Sequence, residues 1–168
     1  TDTHCHLADP KLADTLPAVL AEAQATGVAR FIVPATSPKD WHSVAQLERP
    51  SENIHIALGI HPWFSDGLNE AAFQELEKKL TRHPQAWVGE IGLDFYGKEQ
   101  TQAQRDTQTD VFIRQLILAQ HLNRRVIIHN LKATAAIAAA VKTAGFTRSG
   151  IVPAFRGRAK HTRNVVKP

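Results

Sequence analysis

Short apolar runs alternate with longer segments of helical spacing along this chain. The runs predict strands at Thr3–His6, Arg30–Pro34, Ile54–Leu58, Trp87–Ile91, Arg125–Ile128 and Gly150–Ala154. Between the first two runs, Leu16, Val19, Leu20 and Ala23 recur on one helical face, with Asp14 as the expected N-cap and Gly27 as the stop. A second helix is expected near Pro38–Leu47. A third rests on Phe73, Leu76 and Leu80, spaced three and four apart. A fourth runs from about Ala103 to Leu122, and a fifth over Ala133–Ala144, closed by Gly145. A weak last helix is expected over Ala159–Val166.

Strand and helix alternating in this way define an α/β chain built from βαβ units on a parallel sheet. One domain is expected over residues 1–168. The rhythm leaves open a doubly wound sheet or a closed barrel. A dinucleotide-binding fold would want a glycine-rich turn after the first strand. This chain has His4-Cys5-His6-Leu7 there.

Composition narrows the class. With 168 residues and 43% hydrophobic content, the chain can bury one sizeable core. No apolar run of about 18 residues exists, so no membrane span is expected. A single cysteine excludes an internal disulfide framework. With no leader visible, the expected location is the cytoplasm, and no obligate protein partner is inferred. Charge is uneven. All 16 acidic residues lie between Asp2 and Asp110, while residues 148–168 hold six basic residues and no acid. The net +4 therefore belongs to the tail. A basic tail can bind nucleic acid, and it can equally be a solvated helix.

The polar residues sit where the strands end. The first ends in His4 and His6, and the third leads into Gly59-Ile60-His61-Pro62. The fourth carries Glu90 and Asp94, and the fifth ends in His129-Asn130. In parallel α/β folds the carboxyl ends of the strands form the active rim. If Thr3–His6 is extended, His4 and His6 share one face and Cys5 points away. Imidazoles with carboxylates suit Zn²⁺ or Mn²⁺, and Mg²⁺ where carboxylate and water dominate. Glu90 can bridge two ions, a layout that serves attack on phosphorus or on a carbonyl.

These stretches carry a resemblance. "DTHCHL" at 2–7, "GIHPW" at 59–63, "GEIGLDFYG" at 89–97, "QLILAQHLNRRVIIH" at 115–129 and "GIVPAFRG" at 150–157 resemble the TatD family of metal-dependent deoxyribonucleases. The resemblance implies a TIM-type (β/α) barrel of the amidohydrolase superfamily, two divalent metal ions and hydrolysis of DNA phosphodiesters. It implies His4, His6, Glu90 and His129 as metal ligands, with Glu90 also catalytic. His61 and Asp94 would line the site and meet substrate.

Three positions depart from the family. Its sixth strand carries a ligand histidine where this chain has Pro153. Asn130-Leu131 replaces Ser-Arg after the fifth strand. The family's last metal-binding aspartate would lie beyond Pro168. Eight βα units take ~250 residues. The expectation is therefore a barrel with about six of its eight units present in a fragment that lacks the C-terminal ones. The absence of methionine points the same way. Two other readings stay open: a degenerate, non-catalytic homologue, and an amidohydrolase acting on a small carbonyl substrate.

Overall fold

The computed structural model describes residues 1–2, 4–49, 53–97 and 99–153. Five strands form one parallel sheet: β1 (Phe31–Pro34), β2 (Ile54–Leu58), β3 (Trp87–Asp94), β4 (Val126–Leu131) and β5 (Gly150–Ile151). Helix α1 (Leu16–Ala25) precedes β1. Helices α2 (Trp41–Ala45), α3 (Glu70–Arg82), α4 (Gln102–His121) and α5 (Thr134–Thr143) connect successive strands. Spatial order equals chain order, and every neighbour pair is parallel. A doubly wound sheet would reverse its winding at a switch point. Winding in one direction only produces a curled half-barrel, which resolves the choice that periodicity alone left open.

Alternation along the strands divides the core. Phe31, Val33, Ile54, Ile56 and Leu58 face the helices in the main apolar cluster. Ile32, Ala57 and Ile127, on the opposite face, form a small second cluster with Trp87 and Ile151. Among the helices, α3 buries Phe73, Leu76 and Leu80, the three residues its spacing singles out. The side chain of Asn69 caps it by accepting the Ala72 N–H. A capping box between Thr101 and Gln104 starts α4.

Two expectations are corrected. The Thr3–His6 run does not form a strand among the described residues. One parallel bridge joins Asp2 to Phe31, and a bend at His4 follows. A run this short, with two imidazoles and a thiol, offers little apolar surface to hold it in the sheet. Asp14 does not cap α1; Thr15 takes the N-cap position, without a side-chain bond, and Pro17 stands in the first turn. Gly27 does end that segment, with a positive φ of 92°. The second helix is shorter than its pattern suggested, and β3 and β4 run three residues further, to Asp94 and Leu131. Ala154, the weak last helix and the basic residues from Arg156 onward lie outside the described residues.

Helix α4 buries more than apolar groups. Its inner stripe of Val111, Phe112, Leu116 and Ala119 also contains Gln108 and Gln115. The Gln115 Oε1 accepts the Ile60 N–H at 2.7 Å, and its Nε2 donates to the Ile60 carbonyl at 3.1 Å. The Gln108 Oε1 accepts the Asp94 N–H at 3.0 Å. Two glutamines seven residues apart thus hold the backbones of the β2 and β3 exits. Gln115→Leu would leave both polar groups of Ile60 buried and unpaired. The cost should be about 2–4 kcal/mol, read as a lower denaturation midpoint with an unchanged slope.

Candidate metal centre

Glu90 is the hub. Between Val88 and Ile91 the β3–β4 register slips: three residues of β3 advance against two of β4. Such a bulge re-aims side chains and is common beside active sites. It directs the Glu90 carboxylate, 5% exposed, between two histidines. His4 Nε2 lies 3.3 Å from Glu90 Oε2, and His129 Nδ1 lies 3.1 Å from Oε1. His129 Nε2 reaches Asp94 Oδ2 at 3.3 Å. Gly92 makes the β3–β4 approach possible. It pairs with His129, and a Cβ there would stand 2.1 Å from the His129 carbonyl oxygen. Its φ of 144° is one that side-chain-bearing residues avoid.

His4 and His6 are brought together without a strand. Their Nε2 atoms are 3.1 Å apart and their rings meet edge to face. The Asp2 carboxylate accepts the His4 N–H at 3.0 Å and folds the segment onto itself. His6 is exposed and meets the cluster through His4. Cys5 points elsewhere: its thiol donates to the Ile32 carbonyl at 3.4 Å. Burial, aided by Asp2, pushes that thiol from 9.0 up to about 12. Its thiolate is then scarce, and the greater nucleophilicity of a high-pKa thiol offsets only part of that loss. Alkylation by iodoacetamide at pH 8 should be at least about thirtyfold slower than in the unfolded chain.

His61 is buried beside them, its ring centroid 4.3 Å from that of His129. Ligand atoms of His61, Glu90 and His129 all lie within 4.8 Å of one another. The Trp63 backbone N–H donates to His61 Nδ1 at 3.2 Å. With that lone pair engaged, the neutral ring carries its proton on Nε2, an assignment made from the hydrogen bond. Burial, and next the neighbouring His129, lower the His61 pKa to about 4. The ring is therefore neutral at pH 7 and presents an N–H donor, suited to an anionic oxygen.

The remaining charges follow from position. Burial lowers the pKa of His4, and Glu90 opposes it only in part. Burial alone would raise the Glu90 carboxyl. The hydrogen bond from His129 and the charges of His4, His61 and His129 outweigh it, so the pKa falls below the ordinary carboxylate value. The same bond, with Asp94, carries His129 above its ordinary value against the pull of burial. Glu90 is thus ionised at neutral pH.

The donor set fits a divalent cation. Ligands around a tetrahedral zinc stand about 3.3 Å apart for bonds of 2.0–2.1 Å. The His4–His6, His4–Glu90 and His129–Glu90 separations of 3.1, 3.3 and 3.1 Å are close to that edge length. His4 Nδ1 is buried with no hydrogen-bond partner among the described residues. Pro153 follows β5 and is half-buried. The β4–β5 pairs end at Ile127↔Ile151, and Pro153 lies two residues further on, in a turn; the same register, extended, would bring position 153 level with His129. Sequence reading missed Gln108, Gln115 and the Trp63–Asp94 bond.

A parallel half-barrel with imidazoles and a buried carboxylate converging on its carboxyl-end rim is the architecture of the metal-dependent barrel hydrolases. The chain belongs to the TatD-related DNase family, whose profile matches residues 1–168. It is 31% identical over 168 residues to the Escherichia coli protein named "Uncharacterized metal-dependent hydrolase YjjV", covering 99% of this chain and 64% of that one. It is 31% identical over 144 residues to human "Deoxyribonuclease TATDN3", covering 79% and 52%. The crystal structure of YjjV superposes with a TM-score of 0.87 over 98% of this chain and 63% of that one. A TatD-family hydrolase from Entamoeba histolytica, 20% identical, shares the fold with a TM-score of 0.79 over 98% of this chain and 60% of that one. The chain thus spans 64% of the length of YjjV. No helix among the described residues is long and apolar enough to cross a membrane.

Proposed function

We propose that this protein is a divalent-metal-dependent phosphodiesterase acting on DNA. The observation that carries the reading is the convergence on Glu90 of His4, from the N-terminal segment, and His129, from β4. His4, His6, Glu90 and His129 hold the ions, for which Zn²⁺, Mn²⁺ and Mg²⁺ are the candidates. A bound cation lowers the pKa of water and polarises the phosphoryl oxygen. Glu90, ionised at neutral pH, would bridge the ions and share their positive charge through its two oxygens, and the proton of the attacking water would pass to solvent. His61 donates its Nε2–H to a non-bridging phosphate oxygen. Asp94 orients His129 and the Trp63 indole, which donates to it at 2.7 Å. The water oxygen bonds to phosphorus, the bond to the leaving sugar oxygen breaks, and that oxygen takes up a proton.

Pro153 favours a second reading, that of a homologue with weakened catalysis. Its side chain has no donor atom where the family supplies an imidazole, so at most one ion should be well held.

The test is hydrolysis of a short oligodeoxynucleotide by the full chain, first stripped with chelator and then resupplied with each metal. Cleavage should vanish on stripping and return with one of them. Cleavage that survives chelation would overturn the metal dependence, and none with any metal would overturn the nuclease reading. In the same assay, His61→Ala should keep the metal content and lose the activity.

A further inference from the structure

The loops after β2 and β3 carry two large aromatic side chains that the fold leaves in water: Trp63 is 71% exposed and Tyr96 61%. Side chains of this size dominate interface energetics when covered. Both are rooted at one carboxylate of the candidate site. The Trp63 Nε1–H donates to Asp94 Oδ2 at 2.7 Å, and the Tyr96 backbone N–H donates to Oδ1 at 3.1 Å. The same Oδ2 lies 3.3 Å from His129 Nε2. Lys132, just beyond β4, places its ammonium 4.6 Å from the Tyr96 ring centroid. The rim beside Glu90 and His129 therefore presents two aromatic surfaces and a cation.

We propose that Trp63 and Tyr96 form a stacking subsite for an unpaired nucleobase next to the scissile phosphodiester, with Lys132 meeting a flanking phosphate. The inference rests on the phosphodiesterase reading and adds to it a preference among DNA forms. Every base has a π-face, and stacking on an aromatic side chain is worth roughly tenfold in affinity per base, with little regard to sequence. A base inside a duplex already has both faces covered by its neighbours. The subsite therefore selects single strands, frayed ends and gaps over continuous duplex. The Asp94 link gives the selection a route to the reaction: a base seated on Trp63 rests on a side chain bonded to the carboxylate that orients His129. Lys132 contributes an electrostatic contact that any phosphate can satisfy.

Binding measured in chelator separates this subsite from hydrolysis. The probes are a short oligothymidylate and an abasic deoxyribose-phosphate oligomer of the same length, read by fluorescence anisotropy on the full chain. The unsubstituted chain should bind the oligothymidylate at least about tenfold more tightly than the abasic oligomer. The Trp63→Leu/Tyr96→Leu double variant should lower that ratio to about threefold or less. Tyr96→Phe, which keeps the ring, should retain it. Lys132→Gln should weaken both oligomers alike and flatten the salt dependence. Equal binding of the two oligomers by the unsubstituted chain would overturn the subsite, as would a full ratio in the double variant. A base preference that persists without any metal-restored cleavage would support the subsite and overturn the nuclease reading alone.

Discussion

Glu90→Gln is expected to abolish stoichiometric metal binding and to lower metal-dependent hydrolysis by at least about a thousandfold, some 4 kcal/mol of transition-state stabilisation. The substitution is nearly isosteric and keeps one oxygen to meet the imidazoles. It removes the charge. Glu90 is ionised at neutral pH because His129, His4 and His61 hold its pKa down, so the full charge is lost under assay conditions. Its place between His4 and His129 means that both sides of the donor set lose their anionic member at once. Metal content after dialysis, measured beside the circular dichroism spectrum, checks this. A folded Glu90→Gln chain with wild-type metal stoichiometry would show that the ions are held elsewhere.

Pro153→His is expected to act in the opposite direction. Extended two residues past its last pair, Ile127↔Ile151, the β4–β5 register would bring position 153 level with His129. The neighbouring Ile127 and Ile151 lie together in the small cluster on the face away from the helices. If a histidine lets β5 extend by two residues, two-residue periodicity gives 129 and 153 that same face, and the imidazole at 153 would stand beside His129. The backbone gains an N–H as well. The ladder ends at Ile151, two residues before a residue that cannot donate to it. A second well-held ion should appear, and hydrolysis should rise by roughly a hundredfold or more, since the second charge is worth several kcal/mol at the transition state. Metal stoichiometry and turnover on one oligonucleotide read both effects. Equal rates for Pro153→His and the unsubstituted chain would remove the argument for weakened catalysis.

The rim was legible in the sequence because it depends on local rules. Apolar runs of a few residues announce β2 and β4, and a polar residue at the end of such a run falls at the carboxyl edge. His61, Glu90, Asp94 and His129 could therefore be named before their distances were known. What could not be read depends on distant partners. The bulge that aims Glu90 is a relation between β3 and β4. The His4–His6 contact forms in a segment outside the ladder, attached to β1 by the bridge from Asp2 to Phe31 and by bonds from Cys5 to the Ile32 carbonyl. Gln108 and Gln115 look like interruptions of an apolar stripe until the backbones they hold are seen. The tautomer of His61 is set by the Trp63 amide, which a pattern of hydrophobic positions does not record.

The two glutamines of α4 also govern how the site can move. The β2 exit is pinned through Ile60 and the β3 exit through Asp94, and both pins belong to one rigid rod two turns apart. The exits therefore cannot flex independently. A shift that carries His61 away from the centre must drag α4 and, with it, the backbone of Asp94. Breathing of this part of the rim is a single collective mode whose stiffness is that of a packed helix. The freedom a bound strand needs to thread in and out is left to side chains beyond the pins, such as that of Tyr96, which is tied to Asp94 by its backbone alone and can swing while the centre keeps its shape.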